Sequence, residues 1–273
     1  MVKGYVPDGV LILAKLEKFN PGGSSKDRAA TLMLLEAVRR GYVDGKTVVE
    51  ASSGNTAVSL AMVGASLGLR VLLFVPEGPS GRKVELAKEF GAEVVLTPYD
   101  EGTDGALMRV RSVVEEHPDR YYHPDQYNNP LNPLAHYLST GPEIWRQTSG
   151  SITHFVAGVG TGGTVVGTGR YLKEVKPSVR VVGVQPESPE DRIPGLKHLP
   201  TSVRPGIYDD SVIDLTVNTS SDEGKEWRER LLRHGLSVGP SSGAALSAAV
   251  KVANSDPEAR VVVVLFPDGG ERY

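Results

Sequence analysis

Val261-Val262-Val263-Val264-Leu265-Phe266 is an unbroken apolar run, β-branched through its first four positions. A strand with one wet face alternates polar and apolar side chains. A run without alternation reads as a strand covered on both faces, the usual state of a strand in a parallel sheet. The rest of the chain repeats the motif. Further strands are expected at Thr47–Ala51, Val71–Val75, Glu93–Thr97, Thr153–Gly158, Val179–Val184 and Val212–Val217. Between them the apolar spacing predicts helices over Ser25–Arg40, Thr56–Leu67, Arg82–Phe90, Ala106–Glu116, Pro133–Thr148, Gly163–Lys173, Ser221–Arg233 and Ala244–Ala253. Strand–helix alternation of this kind implies an α/β fold, mostly parallel, with helices on both faces of the sheet. Two stretches break the rhythm. Pro118–Pro133 is rich in Tyr, Asn and Pro and reads as a lobe boundary; Pro186–Pro205 carries five prolines and reads as a long loop.

Composition narrows the function. The 30 Lys and Arg against 33 Asp and Glu leave a net charge of −3, without the basic excess of a nucleic-acid or membrane-surface protein. The 273 residues include no cysteine, which removes disulfides, thiolate metal ligands and a cysteine nucleophile, and fits a reducing compartment. The six histidines lack zinc-type spacing, so no metal is expected. No apolar stretch is long enough to span a bilayer, and Met1-Val2-Lys3-Gly4-Tyr5 does not open like a signal peptide. Glycine is in excess, 31 residues where about 7% is usual, and it clusters at strand ends and helix starts. Those are the places where doubly wound folds bind ligands.

Four clusters carry chemistry. Asn20-Pro21-Gly22-Gly23-Ser24-Ser25-Lys26-Asp27-Arg28 is a turn in which Ser24 or Ser25 can cap a helix and Lys26 falls in its first turn. The positive end of the helix dipole disfavours a cation there, and so favours the neutral amine that a Schiff base needs. A solvated lysine after a cap is the plainer alternative. Glu50-Ala51-Ser52-Ser53-Gly54-Asn55-Thr56 joins a strand to a helix with hydroxyls and an amide, donors suited to a carboxylate, or simply a capped turn. Gly158-Val159-Gly160-Thr161-Gly162-Gly163-Thr164 follows a strand and opens a helix, so its N–H groups suit a phosphate. Its Gly158, Gly160 and Gly163 also satisfy G-x-G-x-x-G, and Glu187 lies where a dinucleotide-binding acid would. A nicotinamide-dependent oxidoreductase therefore remains open on these residues. Gly239-Pro240-Ser241-Ser242-Gly243 has the spacing of a hydrolase nucleophile elbow, but no histidine follows it to complete that triad. Gly45-Lys46-Thr47 ends like a phosphate-binding P-loop, but Arg40 stands where that motif needs glycine.

Together and in this order, the four clusters resemble the pyridoxal-phosphate (PLP) enzymes of the cysteine synthase and cystathionine β-synthase family. Asp125-Gln126-Tyr127-Asn128-Asn129-Pro130 is a fifth match. The stretches 128–137, 140–145 and 193–200 are similar to the cysteine synthase B branch, and the likeness runs over essentially the whole chain. The resemblance implies a two-lobed PLP-dependent fold of type II, like that of tryptophan synthase β. It implies a smaller mobile lobe over 35–131, with 1–34 and 132–273 in a larger lobe that carries the phosphate loop. It implies Lys26 as the catalytic lysine that forms a Schiff base with PLP, and Asn55 at the cofactor's ring hydroxyl. Gly160, Thr161, Gly162, Gly163 and Thr164 would cradle the phosphate, and Ser241 would face the pyridine nitrogen. Ser52, Ser53, Gly54, Thr56 and Gln126 would hold the substrate carboxylate, with Gly195 and Lys197 at the mouth of the site. The implied reaction is β-replacement on O-acetylserine, or O-phosphoserine, by sulfide or another sulfur donor to give L-cysteine, in a cytoplasmic homodimer. Other PLP β-elimination or replacement enzymes, cystathionine β-synthase and serine dehydratase, stay open, as does a non-catalytic binding module. Ser52, Ala57 and Ser25 depart from the threonine, glycine and valine frequent in the family. Its usual Gly-Asn-Thr-Pro-Leu lead-in is not found, and members commonly continue past Arg272-Tyr273. A longer parent chain is therefore expected.

Overall fold

The computed structural model describes residues 3–78 and 81–273, so Met1 and Val2 of the quoted N-terminus lie outside the described residues. The chain divides into two compact units. One takes the residues up to Phe19 with Asn132–Glu271, the other Asn20–Leu131 with Arg272–Tyr273.

In chain order the smaller unit runs through α1 (Lys26–Arg39), β2 (Thr47–Ala51), α2 (Asn55–Ser66), β3 (Val71–Pro76), α3 (Gly81–Glu89), β4 (Glu93–Thr97), α4 (Gly102–Glu116) and β5 (Tyr121–Tyr122); β1 (Leu11–Leu16) precedes them in the larger unit. Among the described residues its sheet is four-stranded and parallel, in the order β4-β3-β2-β5. Successive strand residues point to opposite faces and find separate cores. Val48, Leu73 and Val75 pack with Ala30, Leu34, Ala57 and Leu60 of α1 and α2, while Val49, Ala51 and Phe74 pack with Ala106, Leu107 and Val110 of α4. The expected lobe boundary at 35 falls inside α1. That helix sits wholly in the smaller unit because its Ala30, Leu34 and Ala37 stripe is part of this core.

The larger unit continues with α5 (Leu131–Leu138), α6 (Thr140–Gln147), β6 (His154–Gly158), α7 (Gly163–Val175), β7 (Arg180–Pro186), β8 (Leu215–Thr219), α8 (Ser221–Arg233), α9 (Pro240–Ser255) and β9 (Val261–Phe266). Its sheet, five-stranded and parallel among the described residues, runs β1-β9-β6-β7-β8. The apolar run of β9 does what its sequence implies. Val263 and Leu265 join Ile144, Phe155, Val165 and Leu172 on one face; Val262, Val264 and Phe266 join Leu231, Leu246 and Val252 on the other. A parallel sheet with helices on both faces is thus present in each unit.

Three expectations are adjusted. β1 is an additional strand: as an edge strand it is only part-buried, and Lys15 interrupts its apolar run to pair with Glu143 at 2.6 Å. The single helix expected over Pro133–Thr148 is two, broken at Ser139, whose hydroxyl donates to Ala135 O. β8 begins later than Val212, which lies in a short 3₁₀ turn. The Pro-rich segment is a loop as expected, with neither helix nor strand over 187–209. No described helix is long and apolar enough to cross a membrane. No described cluster of three or more His, Asp or Glu is arranged to hold a metal ion.

Candidate active site

In the smaller unit, Lys26 is the first residue of α1. Its backbone N–H donates to Ser24 Oγ at 3.3 Å, so Ser24 supplies the side-chain oxygen, whereas Ser25 at the cap position makes no such bond. Directly after Lys26, the Asp27 carboxylate is buried. It accepts from Gly22 N at 2.7 Å and from the Ser59 hydroxyl, which lies on α2. Burial pushes Asp27 above the usual carboxylate range, and these hydrogen bonds work against the rise. Asp27 therefore ties the Lys26 turn to α2.

The second cluster leaves β2 and enters α2 at Gly54, the N-cap residue. Ser52 Oγ accepts from Gly54 N at 3.2 Å. Thr56 Oγ1 donates to Gln126 Oε1 at 2.7 Å, and Ser52, Thr56 and Gln126 are all buried. The structure thus brings together two motifs that stand 70 residues apart. Behind Gln126 lies Glu50, buried in β2. Its Oε2 accepts from Gln126 N at 3.3 Å, and its Oε1 lies 3.0 Å from His123 Nε2. Asp125, between them in sequence, takes a left-handed φ of 48°. The sequence patterns assign no role to Glu50 or His123, although a glutamate inside the apolar strand Thr47–Ala51 is itself a signal of a buried partner.

In the larger unit, the glycine loop ends β6 and opens α7. Gly162 is the cap residue with φ 87°, a left-handed conformation that glycine adopts without a Cβ penalty. The first N–H groups of α7 have no partner within their own helix. Thr161 Oγ1 accepts from Gly163 N at 3.4 Å and from Asn132 Nδ2 at 3.2 Å. Thr164 Oγ1 is 3.2 Å from Nε2 of buried His136, whose Nδ1 is 2.9 Å from Thr140 Oγ1. The loop is walled closely. A Cβ on Gly160 would come within 2.5 Å of Gly195 O, and one on Gly163 within 2.0 Å of Asn132 Oδ1. Lys197 N donates to Val159 O at 2.9 Å, which pins the 193–200 segment to this loop. Ser241, buried, is the second residue of α9, and a Cβ on Gly195 would lie 3.9 Å from its Oγ. The glycine that completes the elbow-like spacing, Gly243, serves packing instead: a Cβ there would meet Gly224 O of α8 at 2.0 Å.

Residues 6–268 match the family described as "Pyridoxal-phosphate dependent enzyme". The chain belongs to this family. Cysteine synthase of Aquifex aeolicus is 50% identical over 98% of this chain and 84% of that protein. Cysteine synthase B of Salmonella typhimurium is 42% identical over 98% of this chain and 88% of its own. Among solved structures, cysteine synthase from Entamoeba histolytica superposes with a TM-score of 0.92 at 33% identity, covering 99% of this chain and 82% of that one. An O-acetylserine dependent cystathionine β-synthase from Helicobacter pylori gives 0.90 at 39% identity, covering 100% and 92%.

The residues fit the family's cofactor. The α7 N-terminus offers backbone N–H groups and two threonine hydroxyls, the donor set a phosphate dianion requires. Membership of this family leaves the dinucleotide reading of Gly158, Gly160, Gly163 and Glu187 without support. The two-lobed type II fold and PLP dependence implied by the sequence are those of the family.

Proposed function

We propose that the chain is a PLP-dependent cysteine synthase, replacing the β-substituent of O-acetylserine with sulfide or another sulfur donor to give L-cysteine. The observation that carries this reading is half-identity with a cysteine synthase over nearly the whole chain. The Thr56–Gln126 hydrogen bond supports it, because it joins the two motifs assigned to the substrate carboxylate.

PLP, when bound, supplies the electron sink that makes a substrate's α-proton acidic. The chain's own residues would do the rest. The Lys26 amine would carry the cofactor and, once released, take the α-proton as general base. Gly160, Thr161, Gly162, Gly163 and Thr164 would hold the phosphate, and Asn55 the ring oxygen. A hydroxyl at Ser241 would hydrogen-bond the pyridine nitrogen without the fixed negative charge that keeps this nitrogen protonated. That leaves elimination favoured over transamination. Ser52, Ser53, Gly54, Thr56 and Gln126 would bind the carboxylate, with Gly195 and Lys197 toward the leaving group. We read the smaller lobe, expected over 35–131 and taken together with the whole of α1, as the mobile part that excludes water during turnover. The protein would act as a homodimer in the cytoplasm, with no nucleic-acid or membrane partner.

The test is cysteine formation by purified holoenzyme from O-acetylserine and sulfide, with Lys26→Ala as the comparison. Turnover by the parent and its loss, together with the visible cofactor absorbance, in Lys26→Ala is expected. A Lys26→Ala protein that keeps both would overturn the assignment. The Helicobacter pylori relative favours one second reading, the same amino-acid donor with a larger thiol in place of sulfide. Homocysteine preferred over sulfide would decide for it.

A further inference from the structure

Arg272 is a buried cation, 8% exposed. A buried guanidinium is costly unless its donors are engaged. In the smaller unit this one meets three neighbours. Its Nη1 donates to Asn55 Oδ1 at 3.1 Å. Its Nη2 lies so close over Gly23 that a Cβ there would come within 2.5 Å, and Gly23 itself has φ 77°. Its charge acts on buried Asp27, opposing the burial that pushes this carboxyl upward. Arg272 therefore touches the turn before Lys26 and the first residue of α2, and its charge reaches the residue after Lys26. These elements hold the two smaller-unit side chains assigned to the cofactor.

The chemistry of the Asn55 contact is one-sided. A guanidinium has five donors and no acceptor, so it can only be satisfied by the oxygen of an amide. The flipped amide would set N–H groups against N–H groups. Arg272 thus fixes Oδ1 toward itself, which sets Nδ2, a pure donor, on the opposite arm of the amide. The proposed acceptor, the cofactor's ring oxygen, needs a donor at that place when it carries negative charge.

We propose that Arg272 is a positioning residue: by holding Asn55 Oδ1 it presents Asn55 Nδ2 as the donor that keeps the cofactor's ring oxygen deprotonated. The proposal rests on the reading of Asn55 as the residue at that oxygen. It predicts a spectroscopic effect apart from turnover. PLP linked to a lysine absorbs in the visible with the proton off the ring oxygen and in the near ultraviolet with the proton on it. Loss of the fixed donor moves the balance toward the second form.

The experiment compares absorption spectra of PLP-loaded parent, Arg272→Met, Arg272→Lys, Asn55→Ala and the Arg272→Met/Asn55→Ala double variant, with circular dichroism to confirm folding. In Arg272→Met the visible to near-ultraviolet ratio should fall about threefold, the effect of losing one ordinary hydrogen bond. Arg272→Lys keeps the buried cation and so guards against misfolding. It should shift the ratio in the same direction by less, since one ammonium cannot reproduce the planar fork. Asn55→Ala should shift it at least as far, and the double variant no further than Asn55→Ala alone. A parent spectrum in either folded Arg272 variant, or additive shifts in the double variant, would overturn the role of Arg272 while Asn55→Ala still shows the Asn55 reading to hold. A parent spectrum in Asn55→Ala would overturn that reading, and the proposal with it.

Discussion

His123 Nε2 lies 3.0 Å from Oε1 of the buried Glu50. Burial disfavours a charged imidazole, but the hydrogen bond and charge of Glu50, with the charge of Asp125, outweigh it and raise His123 above its ordinary 6.5. A group whose folded pKa is raised stabilises the fold fully below its unfolded pKa, and that stability is lost as pH rises through the folded value. Thermal midpoints measured by circular dichroism should therefore fall from pH 6.5 upward more steeply in the parent than in His123→Gln. Parallel curves would show that the pair does not titrate in this range.

Thr56 Oγ1 is the donor that satisfies buried Gln126 Oε1. Thr56→Val keeps the shape of the side chain and removes that donor from a buried acceptor, at a cost of roughly 1–3 kcal/mol. KM for O-acetylserine should rise by about tenfold, equivalent to ~1.4 kcal/mol, with PLP content unchanged. Steady-state kinetics alongside cofactor absorbance check both halves. A loss of PLP would move Thr56 from substrate to cofactor binding.

Much of this was legible in sequence because it is local. The bounds of β2, β4 and β9 follow from runs of β-branched residues, and the site motifs from loop chemistry at strand ends and helix starts. Failures trace to partners far away in the chain. Arg272 and Asn55 stand 217 residues apart, and His123 and Glu50 73, so nothing near either residue discloses the contact. Half-burial hid β1, because an edge strand against β9 needs only part of its surface apolar. The break between α5 and α6 has a local signal. Pro142 lacks an N–H and fits only the first turn of a helix, so it already implied a new start at α6.

Gly162 carries φ 87°, and a Cβ there would come within 2.8 Å of the Tyr208 ring. Gly162→Ala should cost about 1–2 kcal/mol from the left-handed backbone alone. Gly162→Asp adds a negative charge where the phosphate is proposed to bind, so it should lose cofactor faster than Gly162→Ala. PLP remaining after dialysis, measured by absorbance, tests the order parent, Ala, Asp. Equal retention in all three would remove this loop from the phosphate site.

Lys197 follows Gly195 and Leu196 in the loop after β7, and its own N–H donates to Val159 O at 2.9 Å. The backbone is therefore fixed beside the glycine loop, whatever side chain stands at 197. Most loop lysines are simply solvated. Here the fixed backbone and the neighbouring Gly195, whose O lies within 2.5 Å of a Cβ built on Gly160, root the side chain beside the glycine loop. A phosphate leaving group carries charge that a cation can neutralise, and an acetyl ester carries none. Lysine offers a single ammonium rather than the bidentate fork of arginine, so the gain should be one charge-assisted contact. Lys197→Ala should raise KM for O-phosphoserine about tenfold, ~1.4 kcal/mol, and leave O-acetylserine unchanged. Since only the side chain is removed, the Val159 hydrogen bond and the loop it anchors should persist. Steady-state kinetics with both esters at matched sulfide concentration make the comparison. Equal changes for the two esters, or no change for either, would remove Lys197 from the leaving-group end of the site.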